Sequence, residues 1–531
     1  MQKKSIKSIK IEQIFFVLSV VFSIVVTYFV TKRCIDADAS SELVLAQHLA
    51  KTGQILSTDW IYSTELRVFN TQLIYAPLFL LFNNWHLIRF FGSVIMQGIL
   101  VLCFYLFTRM ININRKVFYL SSALFLLPIS VCWGRIVLYH CYYIPHIAIS
   151  LLVVGLTFAS GRYKLRLLLL SLISFVGGLG GIRQLMMTHV PILLCVCIYG
   201  FIDDFFKSNQ TAFIKENLRL VLSVIASCGF SAVGFLANKF YLMKIYTFAD
   251  YSENTINLLD ADQFKKVIYG FFHHFGLRDE VELLSVVGVL SALGILLGIY
   301  CILVSVAEIR KYKNQQDIKK ALPYVFFISY ILVMALVFLL IGNNYYFVLY
   351  LTPLTIWMVT IVALQFYNSP KKLSILNLRR AISLIAVALV LANGLVNSVY
   401  LNSNSYFGQR YEGLRFQAKN HKEIMTPVVD FLQQEGYQLG YATFWNSNII
   451  TEMTNGEIKT INIELHPTSG NVRFYDWLTL KSNRSLQNQK DFLLLERTLQ
   501  SDFESGNDLS GCVIVYTDDQ FIVYDVTDFL S

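Results

Sequence analysis

Eleven apolar runs dominate this chain, at roughly 14–31, 86–108, 117–133, 143–160, 167–182, 189–203, 219–237, 283–305, 322–341, 347–366 and 381–400. A hydrocarbon core about 30 Å thick takes about 20 apolar residues of helix, so runs of this kind restrict the chain to a lipid solvent. Inside that solvent every backbone N–H and C=O must bond within its own segment, which leaves helices as the spanning element here. Composition agrees: 55% of the 531 residues are apolar, 15% are charged, and mean hydropathy is +0.53. The expected fold is mainly α, a polytopic membrane protein with about 11 transmembrane helices. The first run, IFFVLSVVFSIVVTYFV, is long enough to span and lacks a small-residue cleavage site after it, so it reads as an uncleaved helix.

Loop charge sets the orientation. With the N-terminus inside, the cytoplasmic connections are RMININRK, GRYKLR, DDFFKSNQTAFIKENLR, EIRKYKNQQDIKK and NSPKKLSILNLRR, and each one is basic, as the positive-inside rule requires. Residues from 401 onward carry 10 basic and 17 acidic side chains, a net of −7, which leaves +16 of the overall +9 on residues 1–400. That surplus belongs to membrane topology, and no nucleic-acid partner is needed to explain it. The expectation is a multi-pass cell-membrane protein with a cytoplasmic N-terminus, a transmembrane domain over 1–400, and an extracytoplasmic α/β domain over 401–531.

The tail has its own texture. GYATFWNSNIITEMTNGEIKTINIEL predicts strand, helix, an Asn-Gly turn and strand, and CVIVYTDDQFIVYDV predicts two strands around an Asp-Asp turn. Trp445, Asn446, Asn448 and Trp477 could bind an acceptor sugar there, with core packing the plainer reading for either Trp. The other external parts are a first loop, 32–85, and a loop at about 238–282. The first loop opens with TKRCIDADASSELVLAQHLAKTG (31–53). Asp38 is placed to cap the helix that follows, Glu42 sits in its first turn, Leu43, Ala46, Leu49 and Ala50 share a stripe, and Gly53 is a stop. At about 14 residues this helix is too short to span and is expected to lie along the interface, as is a second segment at 63–82.

A large first external loop with two interfacial helices, carrying an acidic motif just after the first span, resembles the type C glycosyltransferase superfamily. The bacterial members that act on lipid or cell-envelope glycans are the most similar. The resemblance covers roughly residues 1–400 by arrangement and DADASSELVLAQHLAKTG by local motif. It implies an integral-membrane glycosyltransferase, a hexosyl- or pentosyltransferase. The enzyme would move a sugar from a polyprenyl-phosphate carrier to an extracytoplasmic glycan, lipid or protein acceptor, with inversion at the anomeric carbon. Many members have Asp-Glu where this chain has Asp-Ala-Asp, so either Asp36 or Asp38 is the counterpart.

The chemistry needs those residue types. A carboxylate at headgroup depth can deprotonate an acceptor hydroxyl, a contribution of about 10²–10⁴-fold. Two carboxylates one residue apart could instead hold a divalent cation, Mg or Mn, against the leaving phosphate. Asp36 and Asp38 are therefore the candidate catalytic or metal residues, with Asp36 preferred because capping occupies Asp38. Arginine suits the phosphate, since its planar fork binds two oxygens at once. Arg183 is the foremost candidate, after a glycine run that would let backbone approach a ligand, followed by Arg135, Arg67 and Arg89. Gln184, His140, His146 and Tyr345 stand near the same membrane edge, where an aromatic belt with interfacial His and Tyr is the plainer account. Cys103, Cys195, Cys197, Cys228 and Cys301 read as small core residues, and Cys132 and Cys141 could meet near an external loop. A flippase for a lipid-linked saccharide would favour paired repeats and mid-span charges, and neither is seen. A non-enzymatic envelope scaffold remains the third class.

Overall fold

The computed structural model describes residues 10–63, 66–202, 217–249, 261–277, 282–315, 318–340, 347–368, 378–404, 421–486 and 490–526. Helix is present at every one of the eleven apolar runs. Among the described residues, seven helices are long and apolar enough to cross a membrane: Ile11–Arg33, Trp85–Met110, Cys141–Phe158, Leu218–Ile245, Val286–Tyr312, Lys320–Leu340 and Leu378–Val399. Ile182–Ile198 and Pro353–Asn368 are shorter apolar helices. The run at 117–133 departs from expectation. Its helix stops at Phe125 and a new one starts at Val131. Pro128 lies in the break, where its missing N–H and its hold on the preceding residue oppose a continuous helix.

The elements that position the site follow in order. Helix α1 (Ile11–Arg33) leads into α2 (Ala37–Thr52), strand β1 (Trp60–Tyr62) and α3 (Gln72–Phe79). Next come α4 (Trp85–Met110), α5 (Arg115–Phe125), α6 (Val131–Leu138), α7 (Ile144–Phe158) and α8 (Tyr163–Leu179). Beyond them are α9 (Val190–Ile202), α10 (Leu218–Ala237) and β2 (Thr247–Phe248). Within the bundle, polar side chains join helices where lipid offers no partner. Ser23 Oγ donates to Gln97 Oε1 at 3.0 Å, and Gln97 Nε2 donates to Thr27 Oγ1 at 2.8 Å and Val137 O at 3.0 Å, tying α1, α4 and α6.

The glycine run before Arg183 serves packing. A Cβ built on Gly178 would lie 2.1 Å from Ser231 O, and one on Gly234 would lie 2.2 Å from Phe175 O, so α8 and α10 meet backbone to backbone. At Gly178 this corrects the expectation that the run admits a ligand, whereas Gly177 and Gly180 line a small cleft. Only Gly181, at φ +97°, needs glycine for its conformation, and it ends the α8 segment.

The tail folds as expected. Helix α11 (His421–Gln434) precedes β3 (Leu439–Thr443), α12 (Phe444–Met453), a turn with Asn455 and Gly456 at positive φ, and β4 (Lys459–Leu465). Then come β5 (Val472–Phe474), β6 (Thr479–Leu480), β7 (Asp491–Glu496), β8 (Cys512–Thr517) and β9 (Phe521–Val526). Six strands order as β5-β4-β3-β7-β9-β8, with β3 parallel to β4 and β7 and the other pairs antiparallel. The division expected at 400/401 falls inside a helix that continues from Leu378 to Asn404.

This unit is not held at a distance. Ile35 and Ala37 of the first loop share one apolar cluster with Val428, Leu432, Phe492 and Val523. Strand β1 pairs with β2 on one side and β6 on the other, so the first loop, the 238–282 region and the tail form one small sheet. Helix α2, expected to lie on the interface, buries nine of its residues and packs between α3 and α12. The second interfacial segment is helical only as α3, and it ends with Leu80 and Leu81, 74% and 73% exposed, facing outward as lipid contacts do. Cys103, Cys195 and Cys301 are buried as expected, whereas Cys197 is exposed, and no disulfide joins Cys132 to Cys141.

Candidate active site

Helix α1 stops at Arg33, and Asp36 caps the next helix in extended backbone (φ −155°, ψ 138°). Its carboxylate accepts from the Ala39 N–H at 3.2 Å, and at α2's other end Gly53, at φ +68°, is the left-handed stop. The cap is thus Asp36, which corrects the expectation that Asp38 fills it. Asp38 sits in the first turn, half-buried, with no such duty.

Asp36 also faces His140, whose Nε2 lies 3.1 Å from its Oδ1, both side chains being buried. Burial would raise the Asp36 carboxyl, but His140 and then Arg135 outweigh it and hold Asp36 below the usual carboxylate range. Asp38 goes the other way. Burial, followed by the neighbouring charge of Asp36, lifts it to about 7, while Arg67 and Arg135 oppose the rise. Two carboxylates in one turn have therefore been pushed apart, one kept ionised and one poised near neutrality. His421, at the start of α11, lies where the Asp36 charge bears on it, and burial pushes its imidazole down to about 4.

The four expected arginines separate into two kinds. Arg67 is held by its own loop, with its carbonyl accepting from Gln72 Nε2 at 2.6 Å and the adjacent Leu66 carbonyl accepting from Asn238 Nδ2 at 3.3 Å. Its guanidinium lies 3.5 Å from Glu42 Oε1 and over the Tyr142 ring, 5.0 Å from the centroid. Arg135 projects from α6, and its charge reaches both aspartates. Arg183 donates to the Tyr350 hydroxyl at 3.2 Å and stacks between the rings of Tyr350 and Tyr143, at 4.5 and 5.5 Å. Arg89 is different. It is 1% exposed, donates from Nε to Glu452 Oε1 at 2.9 Å and from Nη2 to Ala39 O at 3.2 Å, and closes the pair with a second bond to Glu452. Ser40 Oγ also donates to Glu452 Oε2, at 2.6 Å. Arg89 therefore anchors α2 to α12, and this corrects its expected part in binding phosphate. Glu452 was missed in the sequence, where it is one acidic residue in a polar helix.

Gln184 is fully buried between Thr188 and His146, so it supports a neighbour and does not face a ligand. Tyr345 lies outside the described residues. Asn446 and Asn448 are occupied within the tail, donating to Thr443 and to the Leu478 carbonyl, and Trp445 alone of that expected acceptor set is well exposed, at 40%. Among the described residues no three His, Cys, Asp or Glu side chains are grouped to hold a metal ion. The donor set also disfavours one. Asp36 Oδ1 is engaged by His140 and by the Ala39 N–H, and the charges nearest Asp38 include two guanidinium groups, so the expected Asp36–Asp38 cation pair does not fit.

A sequence profile described as "Oligosaccharyl transferase STT3, N-terminal" matches residues 93–437, more than half of the chain. No curated protein matches by sequence. The fold is similar to crystal structures of ArnT from Cupriavidus metallidurans. With the structure bound to undecaprenyl phosphate the TM-score is 0.57 at 10% identity, covering 96% of this chain and 97% of that one. With its apo state the TM-score is 0.54 at 11% identity, with the same coverage. The profile match shows that the chain belongs to the STT3 oligosaccharyl transferase family, membrane glycosyltransferases of the type C fold that use lipid-linked sugar donors.

Proposed function

We propose that this enzyme transfers a hexosyl or pentosyl group from a polyprenyl-phosphate donor to a hydroxyl of an extracytoplasmic glycan, lipid or protein, with Asp38 as general base. The observation that carries the reading is the split of the aspartate pair beside two arginines: Asp38 is poised at about 7, and the charges of Arg67 and Arg135 both bear on it. The acceptor hydroxyl attacks the anomeric carbon, and its proton passes to the Asp38 carboxylate. The bond from that carbon to the phosphate oxygen breaks, and the polyprenyl phosphate leaves with its new charge met by guanidinium forks. Attack opposite the leaving phosphate inverts the anomeric centre. Asp36 is a positioning residue: it caps α2 and keeps His140 in place, which fixes where Asp38 points. ArnT, similar in fold, is recorded with undecaprenyl phosphate bound, and this supports a lipid phosphate as the leaving group here. The N-terminus is assigned to the cytoplasm because the connections that alternate with it are basic in sequence, as the positive-inside rule requires.

The guanidinium groups occupy the charge-neutralising role, so the reaction is assigned no divalent cation. The test is transfer of radiolabelled sugar from undecaprenyl-phosphate monosaccharides to a cell-envelope extract by the purified protein in liposomes, with and without EDTA. Transfer that survives EDTA and disappears in Asp38→Asn supports the proposal. Undiminished transfer in a folded Asp38→Asn protein overturns the base assignment, and loss of transfer in EDTA with recovery on adding Mg or Mn overturns the cation-free mechanism.

A further inference from the structure

A small cleft is lined by Arg67, Asn70, His146, Gly177 and Gly180, and the charge of the same Arg67 bears on Asp38. His146 stands at the start of α7 and is buried, with its Nδ1 3.4 Å from Gln184 Oε1. The orientation of that amide is fixed by its other bonds. Gln184 Nε2 donates to the His146 carbonyl at 3.3 Å and to Thr188 Oγ1 at 2.8 Å. Turning the amide over would set its oxygen against the carbonyl oxygen, so Oε1 is the atom that meets the ring. An acceptor at that point places the ring proton on Nδ1. In the neutral imidazole Nε2 is then a bare lone pair, and it has no hydrogen-bond partner among the described residues.

A buried lone pair without a donor is costly unless a ligand supplies one. A phosphate oxygen cannot, because it too is an acceptor. A hydroxyl can. Arg67, in the same cleft, suits the anion, and a donor sugar is joined through its anomeric carbon to that anion. We propose that His146 Nε2 accepts a hydrogen bond from a hydroxyl of the donor sugar, so that the cleft reads the sugar and not only its phosphate. This rests on the lipid-phosphate donor proposed above.

Binding without any acceptor present tests it, since an acceptor hydroxyl then cannot contribute. The probes are undecaprenyl phosphate itself and a panel of undecaprenyl-phosphate hexoses and pentoses, measured on the full chain in detergent. Wild type should bind at least one sugar-bearing lipid about fivefold or more tightly than the bare lipid phosphate, on the scale of one buried hydrogen bond. His146→Leu should erase that margin and leave the bare lipid within about twofold of wild type, whereas His146→Gln, which retains an acceptor oxygen, should keep most of it. If His146→Leu does not fold, His146→Asn, whose shorter amide withdraws the acceptor, should lose the margin in its place. Equal weakening of bare and sugar-bearing lipids, a margin that persists without the acceptor, or no margin in wild type would each overturn the role of His146. Wild type that binds none of these lipids would overturn the donor reading itself.

Discussion

Arg89 and Glu452 form a buried ion pair that ties the first loop to the tail. The arginine comes from a membrane helix and the glutamate from the tail, 363 residues later, and both also bond α2 within one turn of the aspartates, through the Ala39 carbonyl and the Ser40 hydroxyl. Removing one partner strands a buried charge, which costs about 3–5 kcal/mol. Glu452→Gln should therefore lower the melting temperature and reduce kcat while donor KM stays near wild type, because Arg67, Arg135 and Arg183, the arginines proposed to meet the phosphate, are untouched. Replacing both residues by Met should recover most of the stability, and differential scanning fluorimetry with steady-state kinetics reads both effects.

The two aspartates should separate in mutagenesis. Asp38→Asn should lower kcat by about 10²–10⁴-fold. It should leave the melting temperature at pH 8 unchanged or higher, since the folded protein disfavours the charged form. Asp36→Asn should lower both stability and activity, because it weakens the α2 cap and the His140 contact together. Paired melting and transfer assays on the two variants check this contrast.

Activity should follow the ionisation of Asp38. A base must be deprotonated, so kcat/KM should rise with pH through a limb near 7 and fall about tenfold per unit well below it. The stability signs differ. The raised Asp38 means that its share of stability is greatest below its ordinary value of 3.8 and declines as pH climbs to about 7. The lowered Asp36 stabilises above its ordinary value of 3.8, and that stability is lost as pH falls through its depressed folded value. A pH profile of transfer for wild type, and melting curves for wild type and Asp36→Asn from pH 3 to 8, test the signs. The stability gap between the two proteins should close at the acid end.

Gly178→Ala and Gly234→Ala should each destabilise the fold, since the added methyl would meet backbone atoms 2.1–2.2 Å away across the α8–α10 contact. Gly98→Ala is the control, having no atom within 4 Å of the added carbon, and it should be neutral or slightly stabilising. Melting temperature and the yield of monodisperse protein distinguish them.

What the sequence disclosed was what neighbouring residues decide. Apolar runs, the Gly53 stop and the β-α-β texture of the tail are local patterns, and each corresponds to an element in the fold. The cap could not be assigned this way, since Asp36 and Asp38 are equally good cap residues by type, and it is Asp36 that stands in extended backbone beside His140. Arg89 looked like a phosphate ligand because its partner lies in a different part of the chain, and pairing across 363 residues leaves no periodic trace. The same holds for the glycine run. Small residues permit close approach, but whether to a ligand or to a helix depends on where Ser231 and Gly234 arrive. His140 was singled out by position, yet its facing of Asp36 depends on α6 ending where it does.

The small sheet that joins β1 to β6 has a consequence for the order in which the enzyme becomes competent. Asp59 accepts from the backbone N–H of Ser482, 423 residues downstream, and the Lys481 amine donates to the Thr58 carbonyl. The membrane helices can insert as they emerge from the ribosome, but the strand that finishes the first loop, Thr479–Leu480, is made only after the seven long apolar helices. A chain truncated before it would sit in the bilayer with its aspartates present and its reaction chamber unassembled. Activity is therefore expected only once the tail has followed the membrane helices out of the ribosome.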